Sequence, residues 1–321
     1  MEYRTLGKTG LRVSAIGFGG QPIGGNIWMG EWRGYSRADD AESLRTLERA
    51  LDVGVNFIDT SDMYGAGRSE QVIGRAIKGK RDQVVIATKG ATVHDYGHMY
   101  SDVSYHHLVA ACHRSLKRLG TDHIDLYQIH TAAFGAAEEE GVRRALDELR
   151  QEGSIRYAGV SIGNSMARGI QLINAGWVDA LQLYYNMFYQ QAAAELLPLA
   201  LERGVGIVSA VPFSWGVLTG KYTAAREVPE DDVRRGRMED PSKSGGVFPK
   251  LAEVEELRTL IEPSDLPMPA AALRFVLGDP AISVVIPGAR TVEQLEQNVA
   301  SIAGPDLPAD VRQAVVARFG G

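Results

Sequence analysis

The chain has 321 residues, 45% of them hydrophobic, and a formal net charge of −6. Such a chain buries a large core without disulfides or structural metals, and its acidic balance argues against nucleic acid as the main partner. One cysteine, Cys112, excludes an internal disulfide and points to a reducing, cytoplasmic setting; no apolar run reaches the roughly 20 residues of a membrane span, and Met1-Glu2-Tyr3-Arg4 opens without an apolar signal segment.

The first pattern is a β-hairpin, residues 3–6 and 11–13, turning at Gly7 to Gly10. Eight short apolar runs bounded by polar or glycine residues follow, at 15–18, 55–58, 84–88, 124–129, 157–160, 180–183, 206–209 and 283–286. They are too continuous for half-exposed strands and read as buried ones. Helical patterns lie between them: 41–53 with Leu44, Leu47, Ala50 and Leu51 on one face, then 108–119, 145–151 and 190–203. These stop at Gly54, Gly120, Gly153 and Gly204. Strand, helix and glycine stop in alternation mean parallel strands with crossover helices. Eight such units predict a closed (β/α)8 TIM barrel with an N-terminal β-hairpin, a single domain over residues 1–321. Residues 24–38 and 226–247 lack periodicity, and irregular stretches this long inside a barrel are expected to serve as functional loops.

Barrel chemistry sits at the C-terminal ends of the strands. The second run leads into Asp59-Thr60-Ser61-Asp62-Met63-Tyr64-Gly65, the third ends at Thr88-Lys89-Gly90, and the fourth at Gln128-Ile129-His130. Asp59, Tyr64, Lys89 and His130 therefore face one mouth. Hydride addition to a carbonyl leaves an alkoxide that needs a proton, and a tyrosine with a pKa near 10 holds one at neutral pH. An adjacent lysine is expected to lower that pKa, with Asp59 as its counter-charge. His130, as a neutral imidazole, is expected to donate a hydrogen bond to the carbonyl oxygen. Taken singly, Asp59 reads as a helix cap or turn former and His130 as a structural histidine.

The run Asn56-Phe57-Ile58-Asp59-Thr60-Ser61-Asp62-Met63-Tyr64-Gly65 with Ser69-Glu70, the Thr88-Lys89 strand end and Asp125-Leu126-Tyr127-Gln128-Ile129-His130 resemble the aldo-keto reductase superfamily. The similarity runs from the hairpin to Asn298. It implies an NADP(H)-dependent oxidoreductase, with NAD(H) as the alternative cofactor, acting on a small carbonyl or alcohol with Tyr64 as general acid/base and no metal. It further implies that Ser161, Asn164 and Gln182 hold the carboxamide, although Ile162-Gly163 separate Ser161 from Asn164. The run Ser214-Trp215-Gly216-Val217-Leu218-Thr219-Gly220-Lys221-Tyr222 matches the loop around the pyrophosphate, with Ser214, Gly216, Leu218 and Lys221 expected at the cofactor. Gly288, Arg290, Gln294 and Asn298 match the adenosine-phosphate end, where Gly288-Ala289 replace the Lys-Ser of other branches. Ala210 stands where many members stack a tyrosine on the nicotinamide.

Other features read more blandly. His94-Asp95-Tyr96-Gly97-His98 has some metal-like character but reads better as a polar substrate loop. Cys112 reads as a small core residue, and Glu138-Glu139-Glu140 as a helix start. Trp28, Trp32 and Trp215 fall in mouth loops, as substrate stacking or as loop packing. Gly19-Gly20 and Gly24-Gly25 do not form a phosphate-binding GxGxxG. The competing functions are a non-catalytic nicotinamide-binding regulatory subunit of the same fold and a sugar or alcohol dehydrogenase working in the oxidative direction. A metal-dependent hydrolase is disfavoured because Lys89, Ser161 and Gln182 are poor ligands.

Overall fold

In the computed structural model the apolar runs become the eight strands of one parallel sheet. The structure describes residues 1–95, 97–221, 227–240 and 251–320. The strands are β1 (Phe18–Gly19), β2 (Phe57–Asp59), β3 (Val85–Gly90), β4 (Ile124–Ile129), β5 (Ile155–Gly163), β6 (Ala180–Tyr184), β7 (Gly206–Ala210) and β8 (Ile282–Val285), neighbours in that order. The sheet curls until its edges meet. Gly17 N–H donates to Val285 O at 2.8 Å, Val285 N–H to Ala15 O at 2.9 Å, and a further parallel bridge joins Gly19 to Gly288. This is the (β/α)8 barrel expected from the alternating pattern. Of the first apolar run only Phe18 and Gly19 are regular strand; Ile16 joins through an isolated bridge to Val285.

Period-2 alternation sends side chains either inward or toward the helices. The inner set, including Phe57, Val85, Ala87, Leu126, Ala180, Val208 and Val284, forms one buried cluster with Leu6 and Val13 of the hairpin. The hairpin, Tyr3–Thr5 paired antiparallel with Arg12–Ser14, therefore plugs the N-terminal end of the barrel. Burying a leucine such as Leu6 contributes about 1.5–3 kcal/mol. Gly7 makes the plug possible: its φ is +51°, and a Cβ there would lie 2.3 Å from Gly206 N.

The helices follow local signals with two instructive departures. Asp39 caps Asp40–Asp52 by accepting from Glu42 N–H, and Gly120 ends Tyr105–Leu119 in the left-handed conformation. The helix before Gly153 starts at Ala136, well before residue 145, because Gly135 N–H is capped by Glu138 at 2.6 Å. The pattern at 190–203 divides into a 3-10 turn, Gln191–Ala193, and a helix, Leu196–Arg203. Pro198 has no N–H and fits only the first helical turn, which moves the start to Leu196.

The two unpatterned stretches are partly regular. Residues 24–38 contain an antiparallel pair, Ile27–Trp28 with Trp32–Arg33. In the second stretch Val233–Glu239 is helical, while Arg226 and residues 241–247 lie outside the described residues. The His94-to-His98 run is another hairpin, Thr92–Asp95 with His98–Ser101, whose Tyr96 is not described. Among the described residues no helix is long and apolar enough to cross a membrane, and no group of three or more His, Cys, Asp or Glu is arranged to hold a metal ion.

Candidate active site

A cavity of about 860 Å³ opens at the C-terminal ends of the strands. Asp59 closes β2, Tyr64 lies in the turns after it, Lys89 is next to last in β3, and His130 follows β4. The three strand ends are adjacent, so the four side chains converge, as the sequence predicts.

Lys89 is fully buried and sits behind Tyr64. Its ammonium donates to Asp59 Oδ1 at 2.6 Å, to Thr60 O at 2.8 Å and to Tyr64 Oη at 3.3 Å. Asp59 also accepts from Gln182 at 2.7 Å and Gln128 at 3.4 Å. Burial pushes Asp59 up and Lys89 down, each toward its neutral form, and their mutual attraction opposes both shifts. The expectation that Lys89 lowers the Tyr64 pKa does not hold in this state. Burial, and then the charge of Asp59, hold the phenol well above 10. Asp59 lies closer to Lys89 than Tyr64 does and spends most of its charge.

Burial, and then the Lys89 charge, bring His130 down to about 3, so it is a neutral imidazole across the physiological range. Ser61 Oγ lies 2.9 Å from its Nδ1, leaving Nε2 as the nitrogen free for the cavity. Its ring meets the Tyr64 ring edge-on at 5.8 Å between centroids. Ser61 Oγ also lies 3.2 Å from Asp62 Oδ1. Burial, and then the nearby Glu70 charge, raise Asp62 to about 7.

Ser161 and Gln182 line the cavity, and Ser161 Oγ donates to Gln182 Oε1 at 3.3 Å. Asn164 does not: it is exposed, just beyond a register shift between Ser161 and Gly163. Gly216, Lys221, Gly288, Arg290, Gln294 and Asn298 all line the wall. Leu218 and Ser214 lie buried behind it.

The loop after β7 is strained. Val211, Ser214 and Trp215 have φ of 56°, 46° and 55°, a region non-glycine residues seldom enter, each costing on the order of 1–3 kcal/mol. Asn186 Nδ2 holds Val211 O at 3.0 Å, and Leu218 N–H donates to Phe213 O at 3.0 Å. Among the described residues Ser214 Oγ and Arg274 Nη1 are buried without a hydrogen-bond partner. Among the described residues five cations line the cavity, Lys221, Arg234, Arg237, Arg274 and Arg290, against one carboxylate, Asp59. The unspent Ser214 hydroxyl and the cations Lys221, Arg234 and Arg290 along the groove fit a polyanionic dinucleotide. At the far end Arg290 N–H donates to Gln294 Oε1 at 2.9 Å, its guanidinium reaches the Arg37 carbonyl, and Asn298 Nδ2 donates to Gly288 O at 3.4 Å.

Several wall residues carry no mark in the sequence: Tyr35, Tyr184, Arg234, Arg237 and Arg274. Only Tyr184, at the end of β6, stood where a strand-end search finds it. Of the three mouth tryptophans, Trp215 lines the cavity beside Tyr184, with ring centroids 5.4 Å apart. Trp28 and Trp32 pair with each other on the surface, 5.2 Å between centroids.

Known proteins resemble both the sequence and this geometry. A model of the Aldo/keto reductase family matches residues 15–317. The aldo-keto reductase YhdN of Bacillus subtilis is 33% identical over 306 residues, covering 92% of this chain and 87% of that protein. A probable voltage-gated potassium channel subunit beta of Arabidopsis thaliana is 29% identical, covering 94% and 91%. Among solved structures, the holo form of aldo-keto reductase AKR11C1 from Bacillus halodurans superposes with a TM-score of 0.79 at 28% identity, covering 99% of this chain and 96% of that one. With barrel, mouth and family match in agreement, this chain belongs to the Aldo/keto reductase family.

Proposed function

We propose that the protein is a cytoplasmic NADP(H)-dependent oxidoreductase that transfers hydride between nicotinamide and a small carbonyl or alcohol, with Tyr64 as general acid/base. The observation that carries this reading is the chain Asp59–Lys89–Tyr64 opening into the same cavity as a neutral His130. When bound, the nicotinamide supplies or accepts the hydride.

In the reductive direction His130 donates from Nε2 to the carbonyl oxygen and orients it. Tyr64 gives its proton to that oxygen as negative charge develops there. The phenolate then forming lies 3.3 Å from the Lys89 ammonium, which stabilises it, and Asp59 keeps Lys89 charged and in place. Ser161 and Gln182 are assigned to the carboxamide. Lys221, Arg234 and the unspent Ser214 hydroxyl are assigned to the pyrophosphate; Arg290, Gln294 and Asn298 to the adenosine phosphate. Asn164 and Leu218 have no place in this scheme. The lone buried thiol of Cys112 supports a reducing compartment.

The test is NADPH oxidation against a panel of aldehydes, ketones, sugars and quinones, for the parent and Tyr64→Phe. Removing only the proton donor is expected to lower turnover 10²–10⁴-fold, as roughly expected of a general acid, with NADPH affinity kept. Turnover within a few-fold of the parent removes Tyr64 from its role.

A further inference from the structure

The cofactor reading leaves two lining cations unassigned, Arg274, which donates to Ser301 O and Ala303 O, and Arg237, which acts on the cavity tyrosines. Arg234 belongs to the pyrophosphate loop: a Cβ on Gly216 would lie 3.1 Å from its Nη1. Arg290 lies beyond β8, where its guanidinium is held by the Arg37 carbonyl. Arg237 is different. Its guanidinium stands over the Trp215 ring at 5.3 Å, and its charge is felt by Tyr35 and Tyr184. Those two side chains also act on Tyr64.

The helix carrying Arg237, Val233–Glu239, offers three arginines, and its acids serve the other two. Asp232 grips Arg234 at 2.8 and 2.7 Å and Glu239 holds Arg235 at 3.1 Å, while Asp231 accepts from Asn26 at 3.0 Å. Asp59, the one carboxylate lining the cavity among the described residues, is taken by Lys89. Among the described residues Arg237 has no hydrogen-bond or ion-pair partner, only the tryptophan face. The helix itself is fixed: Val233 N–H donates to Gly34 O at 3.1 Å and Ser36 Oγ to Asp232 Oδ2 at 3.2 Å. An arginine clamped over a tryptophan with its fork unspent is preorganised to take an oxyanion in bidentate fashion.

We propose that Arg237 anchors an anion subsite for the substrate, so that the preferred carbonyl compound carries a carboxylate or phosphate group. This rests on the oxidoreductase reading above and deepens it. Trp215 and Tyr184 supply the apolar wall between that group and the reacting carbon.

Two matched pairs test it: succinic semialdehyde against butanal, and glyceraldehyde 3-phosphate against glyceraldehyde. The parent should favour the anionic member of at least one pair, and which pair tells carboxylate from phosphate. Arg237→Met should lower the ratio of kcat/KM, anionic over uncharged, by about 10- to 150-fold, the value of a hydrogen bond to a charged group. NADPH affinity, read by fluorescence titration, should be unchanged. No preference in the parent, an unaltered ratio in the variant, or an NADPH affinity falling by that same factor overturns the proposal; the last hands Arg237 to the pyrophosphate. Absence of turnover on every compound defeats the oxidoreductase reading instead. Calorimetric titration of unreactive succinate and of inorganic phosphate, with NADPH present, then decides the subsite: binding by the parent that Arg237→Met loses upholds it, and no binding overturns it.

Discussion

Replacing Lys89 by Met, Asp59 by Asn, and both together probes the centre of the site. The side chains of Lys89 and Asp59 are 0% and 2% exposed and meet at 2.6 Å. Each single change leaves a buried charge without its counter-charge, at a cost of about 3–5 kcal/mol. Asp59→Asn also turns an amide donor toward Gln182 and Gln128, which already donate there. The double variant removes both charges at once and should cost far less than the sum, a coupling of about 3 kcal/mol, at the upper end for residues in contact. Urea denaturation followed by tryptophan fluorescence measures all four corners of the cycle. The pH dependence adds a sign. In Lys89→Met, Asp59 loses the ammonium, the main opponent of burial; burial, the largest influence, outweighs the remaining Gln182 and Gln128 bonds and holds its folded pKa above the ordinary 3.8. The folded state then keeps a proton that the unfolded chain releases, and the variant loses stability as pH rises through that interval. Single costs that add within about 0.5 kcal/mol would refute the interdependence of the pair.

Asp62→Asn should reshape stability against pH. The folded pKa of Asp62 is about 7 against 3.8, so its contribution falls by up to about 4 kcal/mol as pH rises through that window. His130, about 3 folded against 6.5, works in the opposite sense: its contribution is complete above 6.5 and is lost as pH falls toward 3. The parent curve is therefore flattened between them, while Asp62→Asn should gain on it steadily from pH 4 upward; a constant offset between the two curves would sink this. Arg290→Ala should weaken NADPH about 10- to 150-fold and spare NADH, the value of one charged hydrogen bond, with the preference shrinking at high salt. Equal weakening of both cofactors would mean that Arg290 serves the Arg37 carbonyl and the loop.

How much of this was legible depended on where a residue's position is decided. Asp59, Lys89 and His130 end strands or directly follow them, and strand ends follow from the apolar runs alone; once the barrel is inferred their convergence follows too. Asn164 failed just beyond a local irregularity, a register shift beside Gly163 that a residue count does not reveal. The helix Met268–Leu277 is buried on nearly every side and so shows no polar face to mark it. Arg237, Tyr35 and Arg234 stayed hidden because contacts between distant segments set their places. The Ser36–Asp232 and Asn26–Asp231 bonds span 196 and 205 residues, and no periodicity encodes a loop resting on a loop.

The acidity of Tyr64 shows the same division at the level of one proton. Residue types alone suggest that a lysine beside a tyrosine favours the phenolate. Distances reverse this: 2.6 Å from Lys89 to Asp59 and 3.3 Å to Tyr64, in a buried pocket. The ammonium is mostly committed to the carboxylate, and burial charges the phenolate its full desolvation cost. In the proposed reaction Tyr64 therefore keeps its proton until negative charge forms on an oxygen beside it. At that moment the Lys89–Tyr64 bond strengthens, because the phenol oxygen becomes the better acceptor, while Asp59 stays fixed by Gln182 and Gln128. An arrangement that holds the proton at rest and stabilises its departure only as charge develops favours the transition state over the ground state, which is the condition for raising kcat.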